Sequence, residues 1–163
     1  MSSDFNKDAL LRSAERINVS YFKEQQEDAI NAIWQWWQSQ SISFTLSGYA
    51  GTGKTFIMRH LIRYLIVEKV CVTAPTHKAL RVLENSSGKK GMTIQSLCGL
   101  RPDVDIEDYN IENPSFKVIG EQKMRGYRLV IIDECSMINP GLFNLLIKTA
   151  IQCRCKLLFL GEM

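Results

Sequence analysis

Residues 48–55 read GYAGTGKT, which is the most informative segment of the sequence. It matches the pattern G-x-x-x-x-G-K-[ST] at every fixed position, between a predicted strand and a predicted helix, which is the context that the pattern requires. Glycine lets the backbone curl so that successive N–H groups point inward. The helix that begins near Lys54 aims the positive end of its dipole at the same point. The sequence therefore predicts a loop that surrounds phosphate groups.

The predicted loop provides two side chains with separate tasks. We expect the Lys54 ammonium to reach the β- and γ-phosphates of ATP, and the Thr55 hydroxyl to bind Mg²⁺. The loop backbone is expected to hold the remaining phosphate oxygens. The cofactor-binding candidates in this loop are Gly48, Ala50, Gly51, Thr52, Gly53, Lys54 and Thr55.

A second motif is the apolar run RLVIIDE at residues 128–134, which ends in two carboxylates. A strand of a parallel sheet delivers its last residues to the carboxyl edge, where ligands bind. Asp133 is therefore expected beside the loop as a second Mg²⁺ ligand. Glu134 is expected to orient and deprotonate an attacking water. With Lys54 they form the catalytic set, and the second acid favours a hydrolase over a small-molecule kinase.

The pattern of apolar residues predicts an α/β fold. Four short apolar runs at 42–46, 70–73, 129–132 and 157–160 lack alternation, which is typical of strands buried on both faces. Helical spacing predicts helices at 7–17, 23–38, 54–67, 77–83 and 140–150. Strand and helix alternate, so a parallel sheet is expected. The cluster of Trp34, Trp36 and Trp37 is interpreted as packing rather than as a base-stacking platform.

Composition sets the class of protein. The 163 residues are 45% hydrophobic and 23% charged with a net charge of +3, which fits a soluble globular domain. No apolar run is long enough to span a membrane, and the N-terminus does not resemble a secretory signal. The five cysteines are expected to be free thiols in a cytoplasmic protein, without a metal site at Cys153 and Cys155.

These residues and four further motifs resemble the superfamily 1 DNA helicases, in particular the RecD-like branch, from about residue 21 to the end of the chain. Residues 74–79 read APTHKA and resemble motif Ia, and residues 93–97 read TIQSL and resemble motif Ib. Residues 133–137 read DECSM and resemble motif II, and residues 158–161 read LFLG and resemble the strand into motif III. Gln26 resembles the adenine-reading glutamine of the family.

The resemblance implies a P-loop NTPase fold of the RecA-like type, a three-layer sandwich that is incomplete at the C-terminus of this chain. Residues 1–20 are expected to form a helical extension and residues 21–163 a partial ATP-binding domain. Residues 99–123 are expected to be an inserted hairpin or loop, where the family carries a small wedge. The strand at 156–160 is expected between the strand of the phosphate loop and the strand of Asp133.

The resemblance also implies contacts with single-stranded DNA and roles in DNA repair and recombination. Small donors and cations suit phosphate contacts without base choice. The nucleic-acid candidates are Pro75, Thr76, His77, Lys78, Thr93, Gln95 and Ser96. Gln95 stands where the family usually has His, and Glu162 where it usually has Asp.

A helicase also needs a second RecA-like domain, whose arginine reaches the γ-phosphate. We find no such domain in these residues, so slow hydrolysis and no unwinding are expected of this chain alone. The expected setting is a bacterial or phage-infected cell. Two alternatives remain open: a P-loop ATP switch that does not translocate, and an inactive truncated product.

Overall fold

A computed structural model of the chain describes residues 24–49, 53–64, 69–100 and 122–162. In chain order the main elements are α1 (Glu24–Gln38), β1 (Ser43–Ser47), α2 (Lys54–Tyr64), β2 (Val70–Thr73), α3 (His77–Ser87), α4 (Ile94–Cys98), β3 (Leu129–Ile132), α5 (Pro140–Cys153) and β4 (Lys156–Gly161). Two short 3₁₀ turns at Lys123–Gly126 and Cys135–Met137 flank β3. The expected helix at 7–17 and most of the expected insertion at 99–123 lie outside the described residues.

The four strands form one parallel sheet in the order β1-β4-β3-β2. The prediction that the strand at 156–160 lies between the other two is confirmed, since β4 pairs with both β1 and β3. Helix α3 is longer than the predicted 77–83 and ends with Gly88 in the left-handed conformation, whose amide donates to Glu84 O. The predicted helices at 23–38 and 140–150 are confirmed, and α5 extends to Cys153.

Helices cover both faces of the sheet. Alternate residues of each inner strand enter two separate cores, so that Ile131 and Leu158 pack with α1 and α2 while Ile132 and Phe159 pack with α4 and α5. Strands β2 and β3 are buried throughout, as is β4 after its first residue. Burial of both faces explains why their sequences show no alternation.

Strand β1 does not fit the prediction of burial on both faces. Its sequence SFTLS alternates, and only Phe44 and Leu46 pack against a core, while Thr45 and Ser47 are exposed. Among the described strands β1 pairs only with β4, so it is an edge strand of the sheet. Alternation of polar and apolar residues is what a strand with one solvated face requires.

The tryptophan cluster belongs to the core, which confirms the packing interpretation. Trp36 and Trp37 are buried, and the Trp36 ring lies 5.7 Å from that of Phe44. Lys156 of β4 joins this region to the sheet, because its ammonium donates to the carbonyl oxygens of Trp36, Ser39 and Ser41 at 2.8–2.9 Å. These bonds hold carbonyl groups at the C-terminal end of α1 and in the segment that follows it. Within the described ranges, no helix has the length and apolar character to cross a membrane.

Candidate active site

The phosphate loop connects β1 to α2, as predicted. Its first residue is held to the sheet because the Gly48 amide donates to Gly161 O at 3.3 Å. Lys54 opens α2, and its ammonium donates to the carbonyl oxygens of Gly48 at 2.5 Å and Tyr49 at 2.9 Å. The amine of Lys54 is therefore at the mouth of the loop. Ala50, Gly51 and Thr52 are outside the described residues.

Gln26 of α1 lies against the end of this loop. Gly53 has φ of +92°, a conformation that side chains rarely adopt, and a Cβ there would collide with the Gln26 amide nitrogen. Glycine is therefore needed at position 53 for both its backbone conformation and its lack of a side chain. The contact places the predicted adenine-reading side chain next to the phosphate loop, while its role toward adenine stays a prediction.

Two carboxylates follow β3 at the carboxyl edge of the sheet. The Asp133 amide donates to Thr73 O at 3.0 Å, which fixes the end of β3 to the neighbouring strand. Glu134 has φ of 55° and ψ of 40°, and its amide donates to Asp133 Oδ1 at 2.9 Å. A non-glycine residue in this left-handed region costs about 1–2 kcal/mol. Strain of this kind is concentrated at functional sites, where the rest of the fold maintains it.

A cavity of about 520 Å³ brings these elements together. Residues from the loop, from α2, from the turn after β3 and from the end of β4 line it. They are Gly53, Lys54, Thr55, Phe56, Arg59, Asp133, Glu134, Gly161 and Glu162. All three predicted catalytic residues and both predicted Mg²⁺ ligands therefore face one space.

The donor set fits Mg²⁺. This ion usually keeps several waters and takes one or two protein oxygens besides those of phosphates. The Thr55 hydroxyl and the Asp133 carboxylate, both on the cavity wall, supply that number. Among the described residues no group of three or more His, Cys, Asp or Glu is arranged to hold a metal alone. The site therefore suits an ion that arrives with a nucleotide.

Sequence reasoning missed Phe56 and Arg59 as cavity residues. Arg59 lies four residues after Thr55 in α2, so the two share a helix face. This spacing could have predicted that Arg59 lies on the same side of the helix as the Thr55 hydroxyl. Cys135 was also missed as a neighbour of the site. Burial, followed by the nearby Asp133 carboxylate, raises the pKa of its thiol.

The nucleic-acid candidates lie at the starts of two helices. Thr76 caps α3 by accepting a hydrogen bond from the Ala79 amide at 3.2 Å, and Thr93 caps α4 by accepting from the Ser96 amide at 3.3 Å. Each hydroxyl keeps its own proton for donation. Thr93, Gln95 and Ser96 lie at the start of the short helix α4, and Thr93 is the residue that caps it.

The nucleic-acid candidates differ in how far their side chains are exposed to solvent. Thr76, His77 and Lys78 are exposed, whereas Pro75 is buried and offers little accessible surface. Gln95 and Ser96 are half-buried, and Lys123, which sequence reasoning did not select, donates to Ser96 Oγ at 3.2 Å.

Backbone contacts bring the two helix starts to the same strand. The Met92 amide donates to Val72 O at 3.2 Å, so the segment before α4 lies along β2, whose end leads into α3. Glu84 Oε1 accepts from the Gly91 amide at 2.8 Å and fixes this segment to α3. A Cβ on Gly91 would collide with Val72 O, so only glycine allows this approach. No local pattern in the sequence indicates that contact.

The fold and the site together define a RecA-like P-loop NTPase domain: a parallel α/β sheet, a phosphate loop and an acid pair at the carboxyl edge. Residues 21–163 match the AAA domain family, and the chain belongs to that family. Its relatives identify the chain as a domain of the superfamily 1 helicase type.

A relative found by sequence similarity and two similar solved structures support this identification. The chain is 32% identical over 142 residues to the ATP-dependent DNA helicase dda of Enterobacteria phage T4, covering 85% of this chain and 31% of that protein. The crystal structure of Pif1 helicase from Candida albicans matches 86% of this chain with a TM-score of 0.59 and 26% identity, over 32% of its own chain. Bacteroides sp Pif1 in complex with ADP-AlF4 shares the fold with a TM-score of 0.58, over 32% of its own chain. The chain thus spans about a third of the length of these relatives.

Proposed function

We propose that this chain is the ATP-binding half of a DNA helicase motor, which binds MgATP and hydrolyses it in step with contacts to single-stranded DNA. The observation that carries the proposal is the common cavity of Lys54, Thr55, Asp133 and Glu134. Each has the chemistry that one part of phosphoryl transfer to water needs. The relative from phage T4 is named an ATP-dependent DNA helicase, which supports the same assignment.

The proposed roles follow from the positions of these residues. Lys54, at the mouth of the loop, binds the β- and γ-phosphates as a cation. Thr55 and Asp133 hold Mg²⁺, which neutralises phosphate charge when bound. Glu134 accepts a proton from the attacking water. Its left-handed backbone turns it away from the line of β3 toward the cavity that it shares with Lys54.

The DNA contacts are proposed at the starts of α3 and α4. His77 and Lys78 are exposed in the first turn of α3, and Thr76 can donate its hydroxyl proton to a phosphate oxygen. Thr93 and Ser96 provide similar groups at α4. Contacts of this kind bind the backbone of DNA without reading its sequence. Residues 73 and 133 are joined by a backbone hydrogen bond, so the strand that leads into α3 also supports the acid pair.

Unwinding is expected of this domain only together with a second motor domain. Strand separation needs two motor domains that close on ATP and open after hydrolysis. An arginine from the second domain is worth about 10³–10⁵ in turnover in related phosphoryl-transfer systems. We therefore expect this chain to bind MgATP, to hydrolyse it slowly, and not to unwind DNA.

Nucleotide binding by the purified chain tests the first step. Lys54→Ala removes a charge-assisted contact worth about 1.5–3 kcal/mol, so MgATP affinity should fall about 10- to 100-fold. Lys148→Ala removes an exposed lysine of α5 outside the cavity and should leave affinity unchanged. Equal affinities of the two variants, or efficient strand separation by the unaltered chain, would contradict the proposal.

A further inference from the structure

Gly161, the last residue of β4, is the point where the phosphate loop and the acid turn meet. Its carbonyl oxygen accepts from the Gly48 amide at 3.3 Å, and the Cys135 sulfur occupies the space where a side chain at position 161 would begin. Cys135 comes directly after Asp133 and Glu134 and begins a 3₁₀ turn that the bond from the Met137 amide to Glu134 O closes at 3.0 Å. Contacts of Gly161 therefore link both halves of the proposed ATP site.

The space at Gly161, not its backbone conformation, requires glycine. Its φ is not in the positive range found for Gly53, Gly88 and Gly99, so an alanine could adopt the same backbone. A Cβ at position 161 would collide with Cys135 Sγ. The next nearest atoms, the amide nitrogens of Cys135 and Ser136, would be 3.4 Å away, at the edge of ordinary contact. The thiol is thus the one serious obstacle among the described neighbours.

We propose that Cys135 is a positioning residue for the ATP site, and that its packing on Gly161 sets the separation between the phosphate loop and the Asp133–Glu134 turn. This inference rests on the proposed function. Cys135 is not among the described residues that line the cavity, so it acts through the turn that it anchors. A larger group at position 161 pushes the 3₁₀ turn outward and carries the Mg²⁺ ligand Asp133 away from Thr55. Metal-dependent binding is therefore more sensitive to this contact than binding of ATP alone.

Enlarging the residue at position 161 and shortening the side chain at position 135, separately and together, tests the inference. Gly161→Ala should weaken MgATP binding about tenfold while ATP measured with a chelator binds as before, since coupling across packed pairs is typically about 0.5–3 kcal/mol. Cys135→Ala should weaken MgATP binding about two- to threefold because the turn loses its anchor. In the double variant the new methyl group fills the space of the sulfur, so MgATP affinity should exceed that of Gly161→Ala and approach that of the unaltered chain.

Three controls separate positioning from general damage. Gly126→Ala introduces the same methyl group at a position where no atom of the described residues lies within 4 Å, so MgATP affinity and melting temperature should not change. Cys135→Ser keeps nearly the same size and should preserve most of the affinity. Alkylation of Cys135, followed by peptide mass mapping without nucleotide, should be faster in Gly161→Ala because the displaced thiol becomes more exposed.

The possible results have distinct meanings. Equal loss of MgATP and metal-free ATP binding in Gly161→Ala, no recovery in the double variant, or unchanged alkylation of Cys135 would each overturn the inference. Failure of the unaltered chain to bind MgATP would overturn the proposed function itself and the positioning role with it. Recovery in the double variant together with faster alkylation in Gly161→Ala would support the positioning role.

Discussion

The amide of Glu134 donates a hydrogen bond to the Asp133 carboxylate at 2.9 Å, while its own backbone stays in the left-handed region at φ 55°. The bond uses one Asp133 oxygen, Oδ1, and orients the carboxylate. The left-handed turn lets two consecutive carboxylates face one cavity, although consecutive side chains of an extended strand point to opposite faces. The proposed roles of Asp133 as a metal ligand and of Glu134 as a base both depend on this turn.

Glu134→Gln should separate binding from hydrolysis. The amide keeps the size of the side chain but cannot accept the proton of water, so MgATP affinity should stay the same while turnover falls about 10²–10⁴-fold. Rapid-quench measurement with protein in excess over ATP reads the chemical step directly. Asp28→Asn, an exposed acid outside the cavity, is the matched control and should leave turnover unchanged. A parallel loss of affinity and turnover in Glu134→Gln would refute the role as base.

Replacing the strained residue with glycine should make the domain more stable and less active. Glu134→Gly relieves a left-handed side-chain conformation, which should raise the free energy of unfolding by about 1 kcal/mol. Arg154 has the same conformation at φ 54°, at the C-terminal end of α5 and outside the cavity. Arg154→Gly should give a similar gain with MgATP turnover unchanged. Chemical denaturation measures both gains, and destabilisation by Glu134→Gly would show that its conformation carries no strain.

Lys156→Met should destabilise the domain without changing the ATP site. The ammonium caps three carbonyl groups and lies 4.9 Å from the centre of the Trp36 ring, and burial lowers the pKa of this lysine. Two of the carbonyls belong to exposed residues that water can reach, so we expect a loss of about 1–2 kcal/mol in the free energy of unfolding. Lys148→Met, on the exposed side of α5, should cost less than half as much. A neutral Lys156→Met would contradict this capping role.

Three cysteines should resist thiol reagents while the chain is folded. Burial raises the pKa of Cys71 to about 11 and of Cys98 and Cys155 to about 12. A raised pKa leaves less thiolate at a given pH, so at about pH 8 no more than about one thiol in a thousand is ionised, and burial also blocks access. Alkylation with mass mapping should label these three only after denaturant is added. Rapid labelling of Cys98 in the folded chain would contradict its position in the core.

Local patterns in the sequence predicted most of the fold. The inner strands appear as continuous apolar runs because both of their faces are buried. The segment GYAGTGKT lies between a strand and a helix, so its position in the sequence also predicted those two elements. Strand β1 was placed correctly and its burial was not. The alternation of SFTLS was visible in the sequence, and pairing with β4 alone among the described strands leaves β1 at the edge of the sheet.

In the candidate site, too, some features could be predicted from the sequence and others could not. Lys54, Thr55, Asp133 and Glu134 were predicted because strand ends and the phosphate loop put them at one edge of the sheet. The contacts that adjust this edge join distant segments: Gln26 with Gly53, Gly91 with Val72, and Cys135 with Gly161. Each of these contacts requires a glycine at the point where two distant segments pass close to each other. That information becomes available only when the three-dimensional arrangement is known.

ATP turnover by the purified chain, with and without single-stranded DNA and beside the Lys54→Ala variant, tests whether the ATP site of this domain responds to DNA. We expect slow turnover that DNA increases and that Lys54→Ala abolishes, with a reduced response to DNA in Lys78→Ala. Turnover that persists in Lys54→Ala, or turnover that single-stranded DNA leaves unchanged, would contradict an ATP site that is coupled to a DNA-binding face in this domain.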